Sequence, residues 1–182
     1  RARKPTALPS DHVHNDDMVI VRATRKLLQR LGTPGTDDHV SAGLLGDWYA
    51  TYLPWRPRQV VLLVNERTLL PLLMPLAPAA TVLDRFPDEL SALLEAHHIP
   101  TSAIVVEVAA TRNARLATTA NRSLLGSMNE FAFLANAHHT NGAGTDLLEL
   151  SLTLARTPCS PLYHRHVSPD REVAALLGEQ TT

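Results

Sequence analysis

Two extended runs with only six residues between them constrain this chain more than any other feature. From Asp47 to Leu53 the side chains alternate: Trp48, Ala50 and Tyr52 share one face, and Asp47, Tyr49, Thr51 and Leu53 the other. Val60-Val61-Leu62-Leu63-Val64 is an unbroken apolar run and the strongest strand signal in the chain. The connection Pro54-Trp55-Arg56-Pro57-Arg58 reads as a turn. A parallel crossover takes about a dozen residues or more, so the two strands are expected to pair as an antiparallel hairpin.

The flanking segments supply helices and further strands. Met18 to Ala23 is a short β-branched run and reads as a buried strand. Thr24 is placed to cap a helix over Arg25–Leu31, with Leu27, Leu28 and Leu31 as its apolar stripe and Gly32 as its stop. Residues 33–46 read as loop, and Leu69 to Leu73 as a short helical turn. Thr81 to His98 has helical spacing, with Pro87 expected to interrupt it and set its real start. Ala103 to Ala110 fits helix or strand by pattern, and Thr101 and Ser102 as candidate caps tip it to helix. Ala114 to Thr118 is a weak strand signal. Ser123 to Ala137 repeats Leu124, Met128, Phe131, Ala132 and Ala135 at helical spacing. A loop over 140–144 follows, then Thr145 or Asp146 caps a helix over Leu147–Arg156, and Ser168-Pro169 opens a last helix through Leu177. These pieces predict an α+β fold: a small, mainly antiparallel sheet with a central hairpin, covered by several helices.

Composition bounds the class. The 182 residues suit one domain, expected over 18–182, with 157–182 as a loop and C-terminal helix and 1–17 as a polar extension or linker. Seventeen basic against 18 acidic residues argue against strong nonspecific nucleic-acid binding, which rests on many Lys and Arg meeting phosphates. No run of about 18 apolar residues exists, and prolines at 71, 75 and 78 break the apolar stretch from Leu69 to Leu76, so no membrane span is expected. A single cysteine, Cys159, forms no intrachain disulfide, which points to a reducing, cytoplasmic setting. Its proline-flanked context offers no activating base.

The helix opening at Asn121-Arg122-Ser123 is the first candidate site. Free N–H groups at a helix start attract anions, and Arg122 and Ser123 could hold a phosphate or carboxylate there. Arg122, Asn129 and Asn136 follow at intervals of seven, with Asn129 placed to orient a ligand. Asn65 and Arg67, at the end of the strongest strand, could converge on the same place. The ordinary alternative is that Asn121 or Ser123 caps the helix and Arg122 pairs with a nearby acid. The second candidate is a protein-contact surface at the hairpin turn, with Trp55 exposed between Arg56 and Arg58. None of the nine histidines falls in a zinc-binding spacing, and GxSxG, P-loop and GxGxxG are all missing. No metal, cofactor or catalytic residue is expected from these patterns.

Three stretches carry a resemblance. They are Arg22-Ala23-Thr24-Arg25-Lys26-Leu27-Leu28; then Leu45-Gly46-Asp47-Trp48-Tyr49-Ala50 with Asn65-Glu66-Arg67-Thr68-Leu69; and Asn121-Arg122-Ser123-Leu124-Leu125-Gly126-Ser127-Met128-Asn129-Glu130. Together the chain resembles a widespread family of small uncharacterised prokaryotic proteins, over roughly residues 18–155. The resemblance implies no activity, cofactor or catalytic residue. The function expected is a non-enzymatic binding or regulatory domain acting on a protein partner or a second copy of itself. The alternative is an enzyme or sensor for a phosphate-bearing small molecule or nucleic acid, held at Arg122 and Ser123.

Overall fold

The computed structural model describes residues 18–35, 41–141 and 146–178. The expected extension over 1–17, and Thr145 as a cap, lie outside the described residues. Five strands form one sheet: β1 (Ile20–Ala23), β2 (Trp48–Leu53), β3 (Val60–Asn65), β4 (Pro71–Pro75) and β5 (Arg115–Thr118). Among the described residues six α-helices accompany them: α1 (Arg25–Leu31), α2 (Val82–Ala96), α3 (Thr101–Thr111), α4 (Arg122–Asn141), α5 (Leu147–Ala155) and α6 (Pro169–Gly178).

The strand order is β4-β3-β2-β1-β5. The central hairpin pairs Trp48 with Asn65 through Leu53 with Val60, antiparallel as its short connection requires. β4 continues antiparallel on β3. The other half of the sheet is parallel: β1 lies beside β2 and β5 beside β1, so the α+β sheet is mixed. The short helix α1 lies between β1 and β2 in the chain; α2 and α3 precede β5.

Both faces of the sheet are covered. Val21, Ala23, Trp48, Ala50, Val61, Leu63, Leu72 and Met74 pack under Phe86, Leu90, Leu93 and Leu94 of α2. Tyr49, Leu53, Val60, Leu62, Val64 and Leu73 pack under Leu124, Met128, Phe131 and Ala135 of α4 and Leu150 and Leu154 of α5. This explains why Val60–Val64 is apolar at every position: each side chain meets a helix layer.

Two expectations are corrected. Leu69–Leu73 is not a helical turn; Pro71–Pro75 is the edge strand β4. Leu70 accepts from Asn65 N–H and Leu76 donates to Gln59, so the even-numbered residues face β3. Pro71, Leu73 and Pro75 therefore turn their nitrogens outward. The prolines have no N–H to leave bare, and the Leu73 N–H donates to the Ser151 hydroxyl of α5 at 2.9 Å. Proline here protects an edge rather than breaking a strand. Pro87 likewise does not set the start of α2, which begins at Val82 and runs through it. The lost hydrogen bond is offset by burial of Phe86, Pro87, Leu90, Leu93 and Leu94.

The remaining elements follow their signals. The ambiguous segment is the helix α3. Asp146 caps α5 by accepting from Leu148 N–H and Glu149 N–H. Thr24 precedes α1 without capping it through its side chain; its hydroxyl meets Thr51 at 3.3 Å instead.

Candidate functional site

The open end of the hairpin is a lock. Asn65, fully buried, donates from Nδ2 to the carbonyls of Leu45 (2.8 Å) and Asp47 (3.3 Å). Its Oδ1 accepts from the Arg67 N–H, the Thr68 N–H and the Thr68 hydroxyl, at 3.1, 2.9 and 2.9 Å. Arg67 reaches back to donate to the Leu44 carbonyl at 2.7 Å. From the other side, Glu107 of α3 accepts the Leu44 and Leu45 amides at 2.6 and 3.1 Å. Burial pushes its carboxyl up, opposed by those two amides and by Arg67. Gly43 and Gly46 sit at φ +84 and +68, where a Cβ would fall 2.8 Å from the Glu107 carboxylate and 3.0 Å from Arg67 Nε. The loop entering β2 is thus gripped from two sides, by Asn65 and Arg67 at the end of β3 and by Glu107 of α3.

Asp47 closes the same corner. Its carboxylate takes the Arg22 Nε at 2.6 Å and the Ser41 hydroxyl, and Ser41 in turn accepts the Ile20 N–H at 2.9 Å. Beside it, burial and the charges of Glu66 and Asp47 raise the Tyr49 hydroxyl, against Arg22 and a hydrogen bond with the Asn121 backbone. Burial, then Asp47, raise the Glu66 carboxyl against Arg22 and Arg67.

The start of α4 abuts this corner through Tyr49, with Leu124 buried in the same cluster, but its polar side chains are exposed. Asn121 is the cap: its Oδ1 accepts from Ser123 N–H at 3.0 Å and Leu124 N–H at 3.3 Å. Arg122, Ser123 and Asn129 are exposed. Among the described residues no hydrogen bond or ion pair joins them to Asn65 or Arg67. The six residues proposed for an anion therefore separate into an internal lock, a cap and an open helix face. An anion entering the corner would meet Asp47 and Glu66, while the Arg22 guanidinium is already engaged by Asp47.

The turn end of the hairpin is different. Helix α4 runs the length of the hairpin: about 22 Å of helix from Asn121 to Asn136 matches about 20 Å of strand from Tyr49 to Trp55. Its last turns therefore lie over the turn. Trp55 is buried there at 7% exposure, which corrects the expectation of an exposed contact residue. Its Nε1 donates to Asn136 Oδ1 at 2.5 Å, and its ring stacks on His139 with centroids 4.1 Å apart and planes 4° from parallel. Arg56 and Arg58 are exposed as expected.

Two adjoining hollows, of about 450 and 590 Å³, open around them. Pro57, Gln59 and Pro75 line both; His139 and Leu147 wall the first, and Pro54 and Ala77 the second. Pro75 and His139 were not foreseen, because each reaches the turn only through the fold, Pro75 from the edge strand β4 and His139 from the end of α4. The heptad spacing of Asn136 was the available signal for a polar contact on that side of α4.

Residues 20–172 match a family described as a domain of unknown function, DUF6933. The chain belongs to that family. No curated protein and no solved structure matches it significantly. The match takes in all the stretches that carry the resemblance, and extends past the expected 155 to the first turn of α6. Glu172, within that turn, is buried and held by Arg165 and by His166 Nδ1 at 2.8 Å. Among the described residues no helix is long and apolar enough to cross a membrane.

Proposed function

We propose that this DUF6933 domain is a non-enzymatic binding module that docks a protein partner in the cleft at the β2–β3 turn. One observation carries the reading. The cleft combines a fixed aromatic wall, Trp55 on His139, with two exposed guanidinia, Arg56 and Arg58, that no described side chain engages. Tryptophan and arginine are the residues on which binding energy concentrates at protein interfaces. Trp55 is already held by Asn136 and His139, so docking need not order it. The open end of the hairpin offers less: Arg22, Asp47, Asn65 and Arg67 are spent on each other and on the backbone. The one cysteine is buried, with its thiol pushed up to about 11 by burial and by Glu130, and so is a poor nucleophile at neutral pH.

A photo-crosslinking residue in place of Ala77, on the cleft rim, tests this in cells that carry the protein. The expected result is one recurrent protein adduct, lost in the Arg56→Glu/Arg58→Glu variant and not seen from Thr118 on the far sheet edge. No adduct from position 77, or one indifferent to the charge reversal, would count against the reading.

A further inference from the structure

The lining of the cleft also specifies what would sit in it. Pro54, Pro57, Val60, Pro75, Ala77 and Leu147 make its walls apolar. Two polar atoms of the lining are already engaged: Gln59 Oε1 accepts from Arg30 Nη1 at 2.9 Å, and Trp55 Nε1 donates to Asn136. The permanently charged groups on the lining are the guanidinia of Arg56 and Arg58, and no described acidic residue lines either hollow. A cationic partner would find no counter-charge. An anionic one would find two planar forks whose geometry matches carboxylates bidentately. The hollows are of a size that holds drug-scale ligands, so the contact is a few residues long.

Resting on the docking reading above, we infer that the occupant is a short acidic segment of the partner protein: an aliphatic side chain flanked by two carboxylates. The aliphatic group enters the proline-lined hollow beside Trp55, and the carboxylates pair with Arg56 and Arg58. Charge complementarity selects this occupant, and the apolar walls set its central residue.

Fluorescein-labelled peptides test it by anisotropy against the full chain. They carry Glu-Leu-Glu, Lys-Leu-Lys, Glu-Gly-Glu or phosphoserine-Leu-phosphoserine in the same glycine-serine frame. The Glu-Leu-Glu peptide is expected to bind, with about tenfold loss for Lys-Leu-Lys and a smaller loss for Glu-Gly-Glu, and to weaken as salt rises. Arg56→Glu/Arg58→Glu is expected to invert the order of the Glu and Lys peptides, a swap that mere misfolding cannot produce. Equal binding of Glu and Lys peptides overturns the inference, as does no binding of the Glu peptide. Binding of the phosphoserine peptide alone overturns it in favour of a phosphorylated partner. A charge-sensitive adduct from position 77 together with an indifferent peptide series would leave the docking site standing and remove only the acidic occupant.

Discussion

Asn65 and Glu107 show what single residues contribute here. Asn65 occupies the strand end where a free amide could meet a ligand, yet every polar atom of its side chain is used within the fold. Asn65→Ala would strand buried carbonyls and amides, and is expected to cost about 2–3 kcal/mol in urea unfolding. A loss within experimental error would mean that the amide does not hold the loop. Glu107 gives a pH signature. Its folded carboxyl lies above its ordinary 4.5, so the folded state binds the proton more readily than the unfolded chain. The stability it contributes is complete below the unfolded value and is lost as pH rises through the folded one. Glu107→Gln removes that titration. The stability of the wild type relative to this variant should therefore decline from pH 4.5 upward, measured by unfolding at each pH. A constant difference would contradict the assignment.

At the scale of elements, β4 is the instructive strand. It survives as an exposed-edge candidate because two prolines and one serine hydroxyl dispose of its outward nitrogens. Ser151→Ala leaves the buried Leu73 N–H unpaired, and a loss of about 1–3 kcal/mol is expected by thermal or chemical melting. Indifference to the change would show the edge to be protected otherwise. β4 also shows where sequence reading stops. The hairpin, α1, α4 and α5 were legible, because alternation, helical spacing and caps act within a few residues of each other. Pro71-Leu72-Leu73-Met74-Pro75 was not, since its meaning depends on which strand it joins and on a hydroxyl from a helix far along the chain. Trp55 was misjudged for the same reason. Its neighbours in sequence are polar or proline, while its contacts, Asn136 and His139, come from the end of α4. Asn121, Arg122 and Ser123 were located on the right helix end, and the capping alternative is the one Asn121 fulfils.

Across the whole molecule the hairpin has two unlike ends. At one, Arg22, Asp47, Asn65 and Asn121, from the family stretches, spend their polar groups within the fold, where β1, β2, β3 and α4 meet. At the other, α4 and the turn leave a basic, apolar-walled cleft open. Rigidity at the first end fixes the frame on which the second is presented. The most direct measurement is amide hydrogen exchange of the domain with and without its crosslink-identified partner. Slowed exchange over residues 54–60 and 76–77, with residues 121–124 unchanged, is the predicted result. Slowed exchange at the start of α4, with the turn unaffected, would place the site at the wrong end of the hairpin and contradict the account.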